Sequence, residues 1–264
     1  MSTLQAIILA IIQGITEFLP ISSTGHMIFG ESLMKISNPS FARTYIVNIH
    51  FGTVLAVLTV YLQRFFKSFD FYFKLFVGFL PAMVIGLLLN NFIDHYLTNV
   101  IVVAVSLFIG GIILIFVDKW FKGAESTEVQ EITYLSALKI GFYQVIAMIP
   151  GISRSAATII GGMTQKLNRK NAAEFSFFLA VPTVLAASGY KLLKSYKEIQ
   201  SSDLTNLILG NIIAYIVAIL IIRTFISYIS KHGFKLFGYY RIILGIIIIV
   251  LFITGVLNNS MLLD

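Results

Sequence analysis

The residues with the most chemistry lie between Ile11 and Met27, in IIQGITEFLPISSTGHM. Gln13 and Glu17 are spaced i, i+4 and share one face of a helix. Glu17 falls in the last turn before Pro20, where the helix dipole and an apolar setting both disfavour a carboxylate. A metal ion, a proton or an arginine must compensate it. Past Pro20, Ser22, Ser23 and Thr24 are N-cap candidates for a following helix whose free N–H groups open toward the turn, and His26 lies three residues beyond Ser23. A second stretch, PGISRSAAT from Pro150, supplies Ser153, Arg154, Ser155 and Thr158. A helix N-terminus flanked by hydroxyls and an arginine suits an anion, and two such ends meeting beside a Glu and a His imply a phosphate or diphosphate. The plainer readings are capping, close helix packing by small residues, and a carboxylate snorkelling to the interface. They account for single hydroxyls. They do not account for Arg154, set between apolar MIPGI and AATII with no lipid-facing role.

The elements that must position these residues are membrane helices. Of 264 residues 58% are apolar and 12% charged, with a mean hydropathy of +0.90, too little polar surface to cover a soluble globule. Six segments approach the roughly 20 residues that cross a bilayer: about 42–62, 71–92, 98–116, 172–193, 204–226 and 236–257. Four shorter ones, 4–18, 22–34, 135–149 and 153–166, come as two pairs joined at the prolines of FLPISS and MIPGIS. These read as re-entrant helix pairs, whose irregular turns are tolerable at membrane depth only where protein or a wet cavity surrounds them. The amino terminus lacks the charged n-region and cleavage site of a secretory signal and reads as part of the mature fold. With no cysteine, disulfides, thiolate metal sites and a cysteine nucleophile are excluded. The net charge of +7 is scattered over loops, which suits anionic lipid and not nucleic acid.

The order pair, three spans, pair, three spans suggests an internal repeat, 1–122 and 130–264, within a single membrane domain. Pro20 and Thr53 are 33 positions apart, as are Pro150 and Thr183; TVLA recurs at an offset of 130, which also lays Ser23 on Ser153. An odd number of crossings per half makes this an inverted-topology repeat. Placing Arg64, Lys67 and Lys74 in the cytoplasm puts Lys119, Lys122, Lys166, Arg169, Lys170, Lys231 and Lys235 there too. Lys35, Arg43, Lys191, Lys194 and Lys197 are left outside, about two to one in the sense of the positive-inside rule. Both termini then face outward, and the two pairs, entering from opposite sides, meet near the midplane.

QGITEFLPISSTGH fits a glutamate/glutamine-x3-glutamate plus serine-serine-threonine-glycine-histidine motif, and PGISRSAAT a proline-glycine-x-serine-arginine-serine motif. Both resemble those of bacterial undecaprenyl-diphosphate phosphatases, the bacitracin-resistance family. The likeness extends to EFSFFLAVP from Glu174 and to the span order over essentially the whole chain. Gln13 takes the glutamine option, which leaves one carboxylate in the first motif. Ala156 stands where the family pattern has glycine, and His50 where glutamine is expected.

The resemblance implies hydrolysis of a polyprenyl diphosphate to the monophosphate, recycling the lipid carrier of cell-wall synthesis, at the outer face of a bacterial plasma membrane and with Mg²⁺ or Ca²⁺. The expected partners are that lipid substrate and membrane lipid, with a homodimer left open. On this reading Ser23 is the preferred nucleophile, with His26 one helical turn on as base or orienter. Arg154 stabilises developing charge, helped by Ser22, Thr24, Ser153, Ser155 and Thr158 as substrate-binding groups. Glu17, with Gln13, holds the metal, and Glu174 either joins it or neutralises Arg154. A phosphohistidine at His26 and attack by water activated at Glu17 stay open. A type-2 phosphatidic-acid phosphatase fails for want of its lysine-x6-arginine-proline motif and second histidine. A secondary transporter or lipid-phosphate flippase is the rival of a different class, since inverted repeats with broken helices are transporter anatomy.

Overall fold

The computed structural model describes residues 1–34, 36, 39–65, 68–93, 97, 99–121, 131–196 and 199–257. Lys35, Lys67, Lys122 and Lys197, used above for topology, lie outside them. Among the described residues there is no strand. The helices are α1 (Thr3–Thr16), α2 (Ser23–Met34), α3 (Pro39–Val60), α4 (Leu62–Phe65), α5 (Phe69–Phe92), α6 (Val100–Trp120), α7 (Tyr134–Ile146), α8 (Arg154–Thr164), α9 (Arg169–Ser195), α10 (Leu204–His232) and α11 (Lys235–Ile253).

Six of these, α3, α5, α6, α9, α10 and α11, are long and apolar enough to cross a membrane, and they match the six expected spans to within a few residues. The expected first span is interrupted at Tyr61, and its tail forms α4. Large apolar side chains face outward along them, among them Phe73, Phe76 and Leu88 on α5 and Ile109 and Ile112 on α6. A soluble protein would bury that surface; lipid covers it without cost. Helices α1, α2, α7 and α8 fall on the four shorter segments. At 14 residues α1 measures about 21 Å, short of the roughly 30 Å hydrocarbon layer.

Local sequence sets where the helices begin. Ser2 and Gln5 close a capping box on α1, while Asn99, Thr133 and Asn168 cap α6, α7 and α9 through their side chains. The packing then interleaves the two halves of the chain: α1 lies on α10, α7 on α5, α3 on α9 and α10, and α6 on α11. Exchanging α1 with α7, α3 with α9 and α5 with α10 turns α1 on α10 into α7 on α5 and α3 on α10 into α9 on α5, pairings that the structure also contains. Close approach is required at Gly14, where a Cβ would sit 2.9 Å from the Ala214 carbonyl oxygen of α10.

The repeat alignment needs one correction. Ser22 (φ 69°) and Ser153 (φ 73°) both hold the left-handed conformation just before a helix, and each accepts from the N–H three residues on, Gly25 and Ala156. Ser22, not Ser23, is therefore the counterpart of Ser153. The second turn is one residue longer and carries Gly151 at φ 95°, so Ser23 and Arg154 open their helices at equivalent positions.

Candidate active site

The two proline turns meet. The Ser155 hydroxyl at the head of α8 donates to the Leu19 carbonyl at 2.7 Å, across the junction. On one side of this contact lies a cavity of about 230 Å³ lined by Glu17, Ser23, Thr24, His50, Ser153 and Arg154, among others. It adjoins a wider one of about 540 Å³, which shares Ser23, Thr24, Val47, His50 and Lys191 and also reaches Gln13, Arg43 and Lys194.

Glu17 is the hub. Its carboxylate is 8% exposed, and both oxygens are engaged. Oε2 accepts from Gln13 Nε2 at 3.0 Å and from the Ser23 hydroxyl at 3.0 Å; Oε1 accepts from Arg154 Nη2 at 3.3 Å. His50 Nε2 stands 3.6 Å from Oε2. The compensation that Glu17 requires is thus supplied by the arginine of the other half, and a hydroxyl is aimed at the carboxylate. Arg154 is fixed from behind by the Ser176 carbonyl, which accepts from Nη1 at 2.9 Å. Its Nε is buried without a partner, as is Gln13 Oε1. An unpaired donor on the guanidinium and an unpaired acceptor on the amide flank one carboxylate, and each is costly to leave unmet.

Several expected site residues stand elsewhere. His26 turns away from Ser23: Nδ1 donates to the Ser22 carbonyl at 2.7 Å, which leaves Nε2 to accept from the Tyr240 hydroxyl at 2.6 Å. In this arrangement it ties α2 to α11, and the side chain that accepts from the Ser23 hydroxyl is Glu17. Thr158 is wholly buried, donating to the Arg154 carbonyl and meeting Ser176 Oγ at 2.6 Å, and Ser155 bonds across the junction to Leu19; neither lines the cavity. Glu174 does not approach Arg154. It pairs with Arg64 at 3.8 Å in a separate cavity at the other end of the bundle. Nor is Arg154 the sole cation at the junction, because Arg241 of α11 reaches it as well.

His50, Tyr240, Arg241 and Ser176 are what sequence reasoning missed as contributors. His50 carried a signal, a lone imidazole in mid-span where the resemblance expects glutamine. Arg241 carried one too, an arginine inside an apolar run. Ser176 acts through its backbone carbonyl, which no side-chain pattern reveals.

Fold and site together define a multi-pass helical membrane protein with a buried glutamate–serine–arginine centre at the junction of two interrupted helix pairs. The profile of the bacitracin resistance protein BacA family matches residues 6–247, and the chain belongs to that family. It is 56% identical over 255 residues to an undecaprenyl-diphosphatase of Flavobacterium johnsoniae, covering 95% of this chain and 96% of that one. A protein of the same description from Bdellovibrio bacteriovorus is 51% identical (97% and 98% covered), and one from Aquifex aeolicus 42% (94% and 97%).

Proposed function

We propose that this protein is a membrane phosphatase that hydrolyses undecaprenyl diphosphate to the monophosphate and inorganic phosphate, as the relatives' description indicates, and thereby confers bacitracin resistance. One observation carries the chemistry: the Ser23 hydroxyl donates to Glu17 while Arg154, on the same carboxylate, keeps a buried Nε–H unpaired. That is a nucleophile held on a base beside an unfilled anion clamp.

The terminal phosphate takes the small cavity, accepting from Arg154 and from the N–H groups that open α2 and α8. Ser23 Oγ attacks the terminal phosphorus as Glu17 takes its proton. The bond from that phosphorus to the bridging oxygen breaks, and the polyprenyl monophosphate leaves. Glu17 passes that proton to the departing monophosphate; water then attacks the phosphoserine as Glu17 takes a proton from it, the Ser23 oxygen–phosphorus bond breaks, and Glu17 returns the proton to Ser23 Oγ as inorganic phosphate leaves. Arg154 neutralises charge on the equatorial oxygens throughout. Thr24 and Ser153 line the same space, and the wider cavity, with Arg43, Lys191 and Lys194, receives the rest of the diphosphate and the start of the chain.

Among the described residues no cluster of three or more His, Cys, Asp or Glu side chains could cage a metal. Glu17 with the unpaired Gln13 Oε1 nevertheless offers hard oxygen donors of the kind that Mg²⁺ or Ca²⁺ takes when diphosphate oxygens complete its shell. Glu17 and Gln13 would hold such an ion, which would supply further charge neutralisation of the diphosphate.

The cavity opens at the end of the bundle that carries Ser40, Lys191 and Lys194, and the charge bias assigns that end to the outside of a bacterial plasma membrane. The short pairs, too brief to span, are read as re-entrant from opposite faces, the two halves forming an inverted repeat. A carrier for lipid phosphates would need the anion clamp but not a hydroxyl held on a carboxylate. Phosphate release from undecaprenyl diphosphate by the purified protein, with and without chelator, tests the assignment; no release under any metal condition would refute it.

A further inference from the structure

Arg241 is wholly buried in α11. Among the described residues no carboxylate pairs with it. A cation without a counter-charge in a low-dielectric interior is costly unless every donor is met, and here all five N–H groups are. Nη1 donates to the carbonyls of Pro20 at 3.1 Å and Ile152 at 2.9 Å. Nη2 donates to those of Gly151 at 3.0 Å and Ser106 at 3.1 Å, and Nε to that of Leu107 at 3.4 Å.

These acceptors are not scattered. Pro20 belongs to the turn that joins Glu17 to Ser23; Gly151 and Ile152 belong to the turn that leads into Arg154; Ser106 and Leu107 lie on α6. Five carbonyl oxygens thus point at one place, where they would repel one another without a cation between them. The second turn is seated so closely that a Cβ on Gly151 would lie 2.5 Å from the Val103 carbonyl oxygen of α6. Apart from Arg241, the side-chain bonds that join the two turns are Ser155 to Leu19 and Arg154 to Glu17, the latter part of the reacting centre itself.

We infer that Arg241 is a positioning residue for the phosphate transfer: its guanidinium clamps the two proline turns to each other and to α6, and so sets the separation of Ser23 and Glu17 on one turn from Arg154 on the other. The inference rests on the phosphatase reading for its kinetic part only. The clamp is a statement about distance and is measured separately.

Two variants bear on it. In Arg241→Lys the charge stays, but an ammonium with three donors cannot hold five carbonyls on three segments. In Gly110→Ala the guanidinium itself stays, and a Cβ placed 2.2 Å from Nη2 displaces it, while alanine favours the α6 helix. The second keeps the test open where the first fails to fold. Spin labels on cysteines at Ile11 and Ile146, in this cysteine-free chain, report the spacing of the two short helix pairs in detergent. kcat and KM on undecaprenyl diphosphate are measured on monodisperse protein of unchanged helicity.

The expected result is a broadened or lengthened distance distribution in both variants, with kcat lowered about tenfold to hundredfold and KM within about threefold, as for a small misplacement of reacting groups. An unchanged distribution in folded variants overturns the clamp, whatever the kinetics. Broadened distances with wild-type kcat overturn its role in positioning. Broadened distances in the two variants, together with no phosphate release by the unaltered protein, keep the clamp and refute the phosphatase reading instead.

Discussion

Replacing Arg154 tests the anion clamp most directly. The guanidinium is held by Glu17 and Ser176 and lines the small cavity, with one hydrogen of each Nη and that of Nε left over, so two of its N–H groups can take two oxygens of one phosphate. Each charge-assisted bond contributes about 1.5–3 kcal/mol, and the pair about 3–6 kcal/mol. At about 1.4 kcal/mol per decade, Arg154→Ala should lower kcat/KM by about 10²- to 10⁴-fold. Arg154→Lys keeps the charge but offers a point donor on a flexible stem, so it recovers one contact and remains about 10- to 100-fold impaired. Initial rates of phosphate release from undecaprenyl diphosphate in detergent, over a range of substrate and at equal folded protein, measure both. Because Arg154→Ala also strips Glu17 of its counter-charge, thermal unfolding should be recorded beside the rates. A lysine variant with wild-type kcat/KM would refute the two-oxygen clamp and leave Arg154 as a mere counter-ion.

Ser23→Ala should retain substrate binding and lose turnover by orders of magnitude, whereas Ser22→Ala, removing the cap on Gly25, should cost about 1 kcal/mol of stability and leave measurable activity; equal activity of the two would remove Ser23 as nucleophile. Tyr240→Phe removes the bond to His26 and should lower stability by about 1 kcal/mol while kcat stays within a few-fold. A loss of orders of magnitude there would return His26 to proton transfer. Chelation should abolish phosphate release, and Mg²⁺ or Ca²⁺ should restore it; full activity in chelator would mean that Glu17 and Gln13 hold no ion. Single cysteines at Ser40 and Gly255 should react with an impermeant thiol reagent from outside intact cells, and one at Gln165 should not, and uniform labelling would contradict the inverted orientation.

Much of the architecture was legible because a bilayer leaves so few choices. Runs of about 20 apolar residues must be helices, shorter ones broken by proline cannot cross, and a carboxylate and an arginine in such runs must meet something. TVLA and the matching prolines suggest a repeat, but they do not give the register of its turns. Sequence offset laid Ser23 on Ser153, whereas the left-handed caps pair Ser22 with Ser153. Because the offset is 130 at the prolines and 130 again at TVLA, the one residue added in the second turn leaves no trace in those landmarks.

The sequence by itself determined that this chain lives in lipid, that it has six long helices and four shorter ones beside its two proline turns, and that Arg154 has no plain structural explanation. It could also place His26 one turn from Ser23, and from that spacing a base was a fair expectation. Where the imidazole and the Ser23 hydroxyl find their hydrogen bonds, only the tertiary structure decided. The imidazole rotates onto the Ser22 carbonyl and Tyr240, a residue 214 positions away, and the Ser23 hydroxyl falls to Glu17 instead. The partners of Arg154 and Arg241 were likewise undetermined, because most of their acceptors are backbone carbonyls, and every residue type carries one. Which carbonyls converge on a guanidinium depends on how turns far apart in the chain are packed, and side-chain patterns do not encode that.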